Sequence, residues 1–162
     1  MPHSMISDLN KFIENILNDS YNKMEIIVKC NSREFTVTSK QLGIYIDSIV
    51  HPSDVTYNIS TMIKINKNVN ISKIIEGFNE LFKKQEILIS KYYEKEIDRK
   101  IEVYGFIEDD CSLIFEEYAY ENAQTFVRPF KLSEALLIRV GFIKDEVLLI
   151  DMHHIISDGY SM

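Results

Sequence analysis

The sequence predicts an α+β domain built on a mostly antiparallel sheet, and three observations carry that expectation. Residues 71–83 hold the clearest amphipathic helix, with Ile71, Ile74, Ile75, Phe78, Leu81 and Phe82 on one stripe. Two apolar runs, 136–143 and 147–156, are separated only by Lys144-Asp145-Glu146, so they should pair as an antiparallel hairpin. Along the chain, helix and strand patterns mix without strict βαβ alternation, which points away from a doubly wound parallel sheet. With 162 residues, 46% hydrophobic and 27% charged, the chain can build a sizeable core and is too apolar to be disordered.

The remaining elements follow from local pattern. Ile6, Leu9, Ile13, Ile16 and Leu17 recur at helical spacing, so roughly 6–18 is an amphipathic helix ended by Asn18-Asp19-Ser20. Two short strands, 24–30 and 34–38, flank the turn Asn31-Ser32. Ser39 can cap a second helix whose apolar face is Leu42, Tyr45, Ile46 and Ile49. Gly43 within it costs roughly 1 kcal/mol relative to alanine, which hints at close packing there. His51-Pro52 stops it. From 55 to 65 the odd positions Val55, Tyr57, Ile59, Ile63 and Ile65 are apolar, the pattern of a half-buried strand. Asn70 caps the helix at 71–83. Strand-like segments follow at about 99–107 and 112–120. The run 147–156 is apolar on both faces apart from Asp151 and the histidines, which suits a central strand.

Composition excludes several function classes. The five glycines stand at 43, 77, 105, 141 and 159, and none forms G-x-G-x-x-G or G-x-x-x-x-G-K, so the usual nucleotide-phosphate cradles are out. Eighteen basic against 25 acidic residues leave a net charge of −7, which disfavours nucleic acid as a partner. The mixed-sign run 94–100 reads as a solvated face. Cys30 and Cys111 have no C-x-x-C partner and read as thiols in a reducing compartment. No signal-peptide pattern opens the chain and no stretch of 18 apolar residues occurs, so the expectation is a cytoplasmic protein with no membrane partner.

Chemistry concentrates in His153-His154-Ile155-Ile156-Ser157-Asp158-Gly159. On a strand, neighbouring side chains point to opposite faces, so one histidine can be structural while the other faces a cavity. Asp158-Gly159 is a turn signal, which puts the histidines near a strand end. An apolar setting disfavours imidazolium and keeps a ring able to accept a proton. Adjacent histidines on a strand diverge and no third Cys or His lies nearby in sequence, so no metal site is expected. Ser157 lacks the G-x-S-x-G elbow of a nucleophile. The alternative reading of these residues is a buried strand with two satisfied histidines and a plain hairpin turn.

H-H-x-x-x-D-G resembles the signature of the chloramphenicol-acetyltransferase-like superfamily of acyltransferases. The longer string DMHHIISDGYSM is similar, within it, to the condensation domains of nonribosomal peptide synthetases. Further matches come in the family's order. Ser39-Lys40-Gln41-Leu42-Gly43 resembles the opening S/T-x-x-Q motif, and Tyr57-Asn58-Ile59 resembles Y-N-I-P. The run from Phe130 through Leu132-Ser133 and Leu136-Leu137 to Arg139 resembles F-D-L-S-x-A-P-L-L-R, with Lys131 in place of the aspartate and Leu136 in place of the proline. Lys84-Gln85-Glu86-Ile87-Leu88-Ile89-Ser90 stands where the family has R-H-E-x-L-R-T, without either arginine.

The resemblance implies a chloramphenicol-acetyltransferase-like two-layer sandwich, a mostly antiparallel sheet with helices on one face. Residues 36–162 would form the N-terminal lobe of a condensation domain, the C-terminal lobe being absent; residues 1–35, the N-terminal helix and short hairpin, lie outside or at the edge of the match. It implies peptide-bond formation in an intact synthetase between carrier-bound thioesters, with an isolated lobe inactive. His154 is the implied catalytic residue. His153, Asp158 and Gly159 are implied to be structural, with Arg139 a candidate ion-pair partner for Asp158. No cofactor is bound directly; substrates arrive on phosphopantetheine arms, so the implied partners are carrier protein domains and the domain's own C-terminal lobe. A CoA-dependent acyltransferase of the same superfamily and a degenerate, non-catalytic docking module are the alternatives.

Overall fold

The computed structural model of the chain describes residues 32–66, 68–109, 111–144 and 146–157. They fall in one compact unit that starts at Ser32. The helix expected over 6–18, the strand at 24–30, Cys30, Asp158 and Gly159 lie outside the described residues.

Among the described residues, seven strands form two sheets. The smaller contains β1 (Glu34–Thr36), β4 (Lys100–Ile107) and β3 (Ser90–Ile97) in the order β1-β4-β3, all antiparallel. The larger contains β2 (Asn58–Lys64), β7 (Val147–His153), β6 (Ile138–Ile143) and β5 (Phe115–Tyr118) in that order. Its pairs are antiparallel except β5 with β6, which run parallel. The hairpin β6–β7 forms as its spacing predicts, and β7 lies between two neighbours as a central strand. The described pairing of β1 is with β4, its register placing Phe35 opposite Gly105.

Two α-helices are described, α1 (Ser39–Val50) and α2 (Ile71–Lys84). Asn70 caps α2 as expected, its side chain accepting from the Ser72 amide. Ile71, Ile74, Ile75 and Phe78 of α2 pack against Ile65, Val140, Phe142 and Leu148, one face of the larger sheet. Tyr45 of α1 and Phe82 of α2 enter a second cluster with Tyr92, Leu137, Ile138, Ile155 and Ile156. The opposite face of β6 and β7 buries Ile143 and Leu149 with Phe126.

Several sequence expectations are corrected. The cap of α1 is Thr38, not Ser39: Thr38 has extended backbone, and with Gln41 it closes a reciprocal capping box. The apolar face read for α1 is mostly exposed, with Leu42, Ile46 and Ile49 at 37%, 54% and 52%. The helix instead packs along Gln41, Ile44, Tyr45 and Ser48, a stripe that mixes polar and apolar side chains at helical spacing. Gly43 meets no tight packing, because a Cβ there would find nothing within 4 Å. The run 94–100 is largely exposed as read, yet it is strand: β3 returns into β4 through Asp98 and Arg99, both at positive φ, as a two-residue hairpin turn requires. Strand 112–120 shrinks to β5, and the half-buried alternation of 55–65 is incomplete because β2 ends its sheet among the described residues.

Candidate functional site

The histidine pair sits where β7 ends. The strand stops at His153, and His154–Ile156 form a single 3₁₀ turn. The two rings part because the backbone turns, not through strand alternation. His153 is buried at 4% exposure, while His154 is exposed.

Both nitrogens of His153 are engaged. Nδ1 accepts from the Ile155 amide at 3.2 Å, so in the neutral ring Nε2 carries the hydrogen and faces Ser48 Oγ at 3.4 Å. Ser48 in turn donates to the Ile44 carbonyl at 2.8 Å. The ring packs near Tyr57 and edge-on to Phe130. Burial, with the charge of His154 adding to it, lowers its pKa to about 4. The neutralising apolar setting expected at this motif therefore belongs to His153.

His154 has the opposite surroundings. Its Nδ1 lies 2.6 Å from the Ser157 carbonyl, which can only accept, so Nδ1 bears the hydrogen. In the neutral ring Nε2 then keeps its lone pair. His154, Ile155, Ile156 and Ser157 form one side of an open cleft of about 720 Å³. The first turn of α1, from Thr38 to Gln41, lines the same cleft together with Tyr57 and Ile87. Gln41 joins the two sides: its Nε2 donates to the Ile155 carbonyl at 3.0 Å and to the Tyr92 hydroxyl at 3.2 Å.

Behind the turn lies a buried polar node centred on Asp151, which is fully buried. Its Oδ1 accepts from Ser60 Oγ at 2.7 Å. Its Oδ2 accepts from Asn58 Nδ2 at 2.8 Å and from the Arg139 guanidinium at 3.0 Å. Burial pushes the Asp151 carboxyl above the usual aspartate range, against these donors. Arg139 also donates to the carbonyls of Arg128 and Pro129 and stacks over the Phe130 ring at 3.7 Å. The described acidic partner of Arg139 is Asp151, which stands opposite it in the β6–β7 register; Asp158, the partner suggested from sequence, lies outside the described residues.

The motif-like segments therefore converge. Asn58, Arg139, Phe130 and Asp151 build one node, and Gln41 reaches the next turn of chain. Lys131, by contrast, is exposed and pairs with Glu134. Sequence reading missed Tyr92, Ser48, Ser60 and Asp151 as parts of the site. Asp151 alone carried a signal, as a carboxylate in an otherwise apolar central strand. Among the described residues, no cluster of His, Cys, Asp and Glu could hold a metal ion, and no helix is long and apolar enough to cross a membrane.

Comparison with known proteins gives a consistent picture. A family model described as "Condensation domain" matches residues 31–162. Bacitracin synthase 3 of Bacillus licheniformis is 30% identical over 172 residues, covering 97% of this chain and 2% of that protein. Tyrocidine synthase 3 of Brevibacillus parabrevis is 27% identical over 166 residues, covering 98% of this chain and 2% of that protein. The chain thus spans only a small fraction of these relatives. Among solved structures, the starter condensation domain of rhizomide synthetase superposes with a TM-score of 0.66 at 15% identity, covering 80% of this chain and 36% of that one. A four-domain nonribosomal peptide synthetase bound to AMP and glycine gives 0.65 at 18% identity, covering 83% and 11%. At such identities the likeness is one of fold.

Proposed function

Because the chain belongs to the condensation-domain family, we propose that it supplies the histidine-bearing wall of a site that joins two carrier-bound thioesters through an amide bond. The observation that carries this is the 2.6 Å contact between His154 Nδ1 and the Ser157 carbonyl. The Ser157 carbonyl holds a hydrogen on Nδ1, so in the neutral ring the Nε2 lone pair is free on a ring that lines the cleft. The acceptor amine attacks the donor thioester carbonyl; the C–N bond forms, the C–S bond breaks and the thiol departs. Nε2 accepts the proton that the amine gives up and returns it to the departing sulfur, or it holds the amine in line. An α-amino group has a pKa of about 7.7–8.0, so a substantial minority is already neutral near pH 7.5. Positioning then supplies much of the rate. His153 packs and caps the turn. Asp158 and Gly159 complete the motif in structural roles. The substrates come on phosphopantetheine arms of carrier domains, and the chain needs no bound cofactor of its own.

The test is His154→Ala in a synthetase that carries this chain. Amide product is expected to fall by about a hundredfold or more, the usual scale of a lost proton-transfer group. Unchanged product formation would overturn the assignment. The isolated 162-residue chain should give no thioester-to-amide turnover, since it covers only 36% of the starter condensation domain whose fold it shares.

A further inference from the structure

We infer that Gln41 and Tyr92 are positioning residues for His154, acting together on the carbonyl of Ile155. The inference rests on His154 as the acting group and goes beyond it, because Tyr92 lies in none of the motif-like segments. Tyr92 is fully buried in β3, its ring edge-on to Phe35. Its hydroxyl donates to the Ile155 carbonyl at 3.4 Å and accepts from Gln41 Nε2 at 3.2 Å. Gln41 Nε2 donates to the same carbonyl at 3.0 Å.

The hydrogens balance across these contacts. The two Gln41 amide hydrogens go to Ile155 O and Tyr92 Oη, and its Oε1 accepts from the Thr38 amide at 3.0 Å. Ser90 Oγ donates to the Ile87 carbonyl at 2.7 Å and lies 3.5 Å from the Tyr92 hydroxyl, whose hydrogen is directed to Ile155 O at 3.4 Å. Turning the Gln41 amide over would set its oxygen against the Ile155 carbonyl, so the side chain has one stable orientation. Both lone pairs of that carbonyl are then filled by side chains, as its amide is by His153 Nδ1.

This arrangement replaces what the strand ladder no longer provides. Beyond His153 the chain leaves the sheet, and the residue following His154 is held at its amide and at its carbonyl by side chains from three other places. One of these, Gln41, also belongs to the facing side of the cleft. The clamp therefore sets both the seat of the His154 backbone and the spacing between the turn and α1. A loosened clamp would leave His154 in place along the chain but free its ring from the Ser157 carbonyl.

The test compares the parent chain with Tyr92→Phe and Gln41→Leu, reading the imidazole nitrogens by NMR and the rate of modification by diethylpyrocarbonate, site by site. The parent His154 should show the Nδ1–H tautomer. In both variants that signature should become mixed, and His154 should react roughly three- to tenfold faster, the scale of losing one hydrogen bond. His51, exposed at the other end of α1, is the internal control and should not change. Tyr92→Phe removes one oxygen and keeps the ring packing, so it decides the matter if Gln41→Leu fails to fold. An unchanged His154 in Tyr92→Phe would overturn the inference, as would an equal rise at His51, which signals general loosening. None of these readouts needs turnover. If His154→Ala leaves product formation intact while the clamp variants still alter the ring, the proposed function fails and the clamp stands.

Discussion

At the residue scale, His153 makes the sharpest statement about pH. An unfolded histidine titrates at about 6.5, whereas burial holds His153 at about 4. The folded pKa is depressed, so stability is complete above about 6.5. As pH falls from there, the unfolded chain takes up a proton that the folded one refuses, and stability is lost until both forms are charged below about 4. The integrated loss is on the order of 3 kcal/mol. Urea midpoints at pH 7 and pH 4.5 should therefore diverge more for the parent than for His153→Phe, which cannot titrate but is weaker at pH 7 because the Ile155 amide loses its acceptor. Parallel slopes in the two proteins would exclude this role. The sequence suggested different fates for the two histidines through strand alternation, whereas the 3₁₀ turn that begins at His154 is what parts them. It could not disclose the tautomers, which depend on Ser157 and on Ser48 reached through the fold.

At the element scale, most spans were legible and their contacts were not. α2 read correctly apart from Leu81, which is exposed, because its burying face is apolar throughout. α1 misread because Gln41 and Ser48 are contact residues, and apolar periodicity gives polar contacts no weight. The capping box of α1 gives a direct check: Thr38→Ala should cost about 1 kcal/mol, measured by denaturant unfolding. The hairpin β3–β4 was half seen, its charged tip read as a solvated face without the strand beneath. Its register explains one glycine. A Cβ on Gly105 would lie 2.2 Å from the Phe35 ring, which covers that position across the strand pair. Gly105→Ala should destabilise by about 1–3 kcal/mol, the range of overpacking. In a Phe35→Leu background the penalty should shrink. Equal penalties in the two backgrounds would mean that the ring moves aside freely.

At the scale of the whole molecule, the α+β class and the chloramphenicol-acetyltransferase-like fold were legible from patterning and motif order, and the neighbours at TM-scores of 0.66 and 0.65 bear them out. What patterning cannot encode is that segments around residues 58, 130 and 151 meet, because no local period links them. The Arg139–Asp151 pair is where they meet, and its energetics can be predicted. Removing one member of a buried pair leaves an uncompensated charge and costs about 3–5 kcal/mol, whereas replacing both with apolar residues is often nearly neutral. Arg139→Met should thus be severe at pH 7. It should also push the Asp151 carboxyl further up, since one opposing cation is gone. A raised folded pKa gives stability that is full below the unfolded value of about 3.9 and is lost as pH rises through the folded one. The Arg139→Met penalty should therefore be smaller at pH 4.5 than at pH 7. Adding Asp151→Leu should recover part of the pH 7 loss, with the remainder reflecting Ser60, which loses its acceptor. A double-mutant cycle at both pH values separates these effects; additive losses that do not change with pH would show that the two side chains act independently.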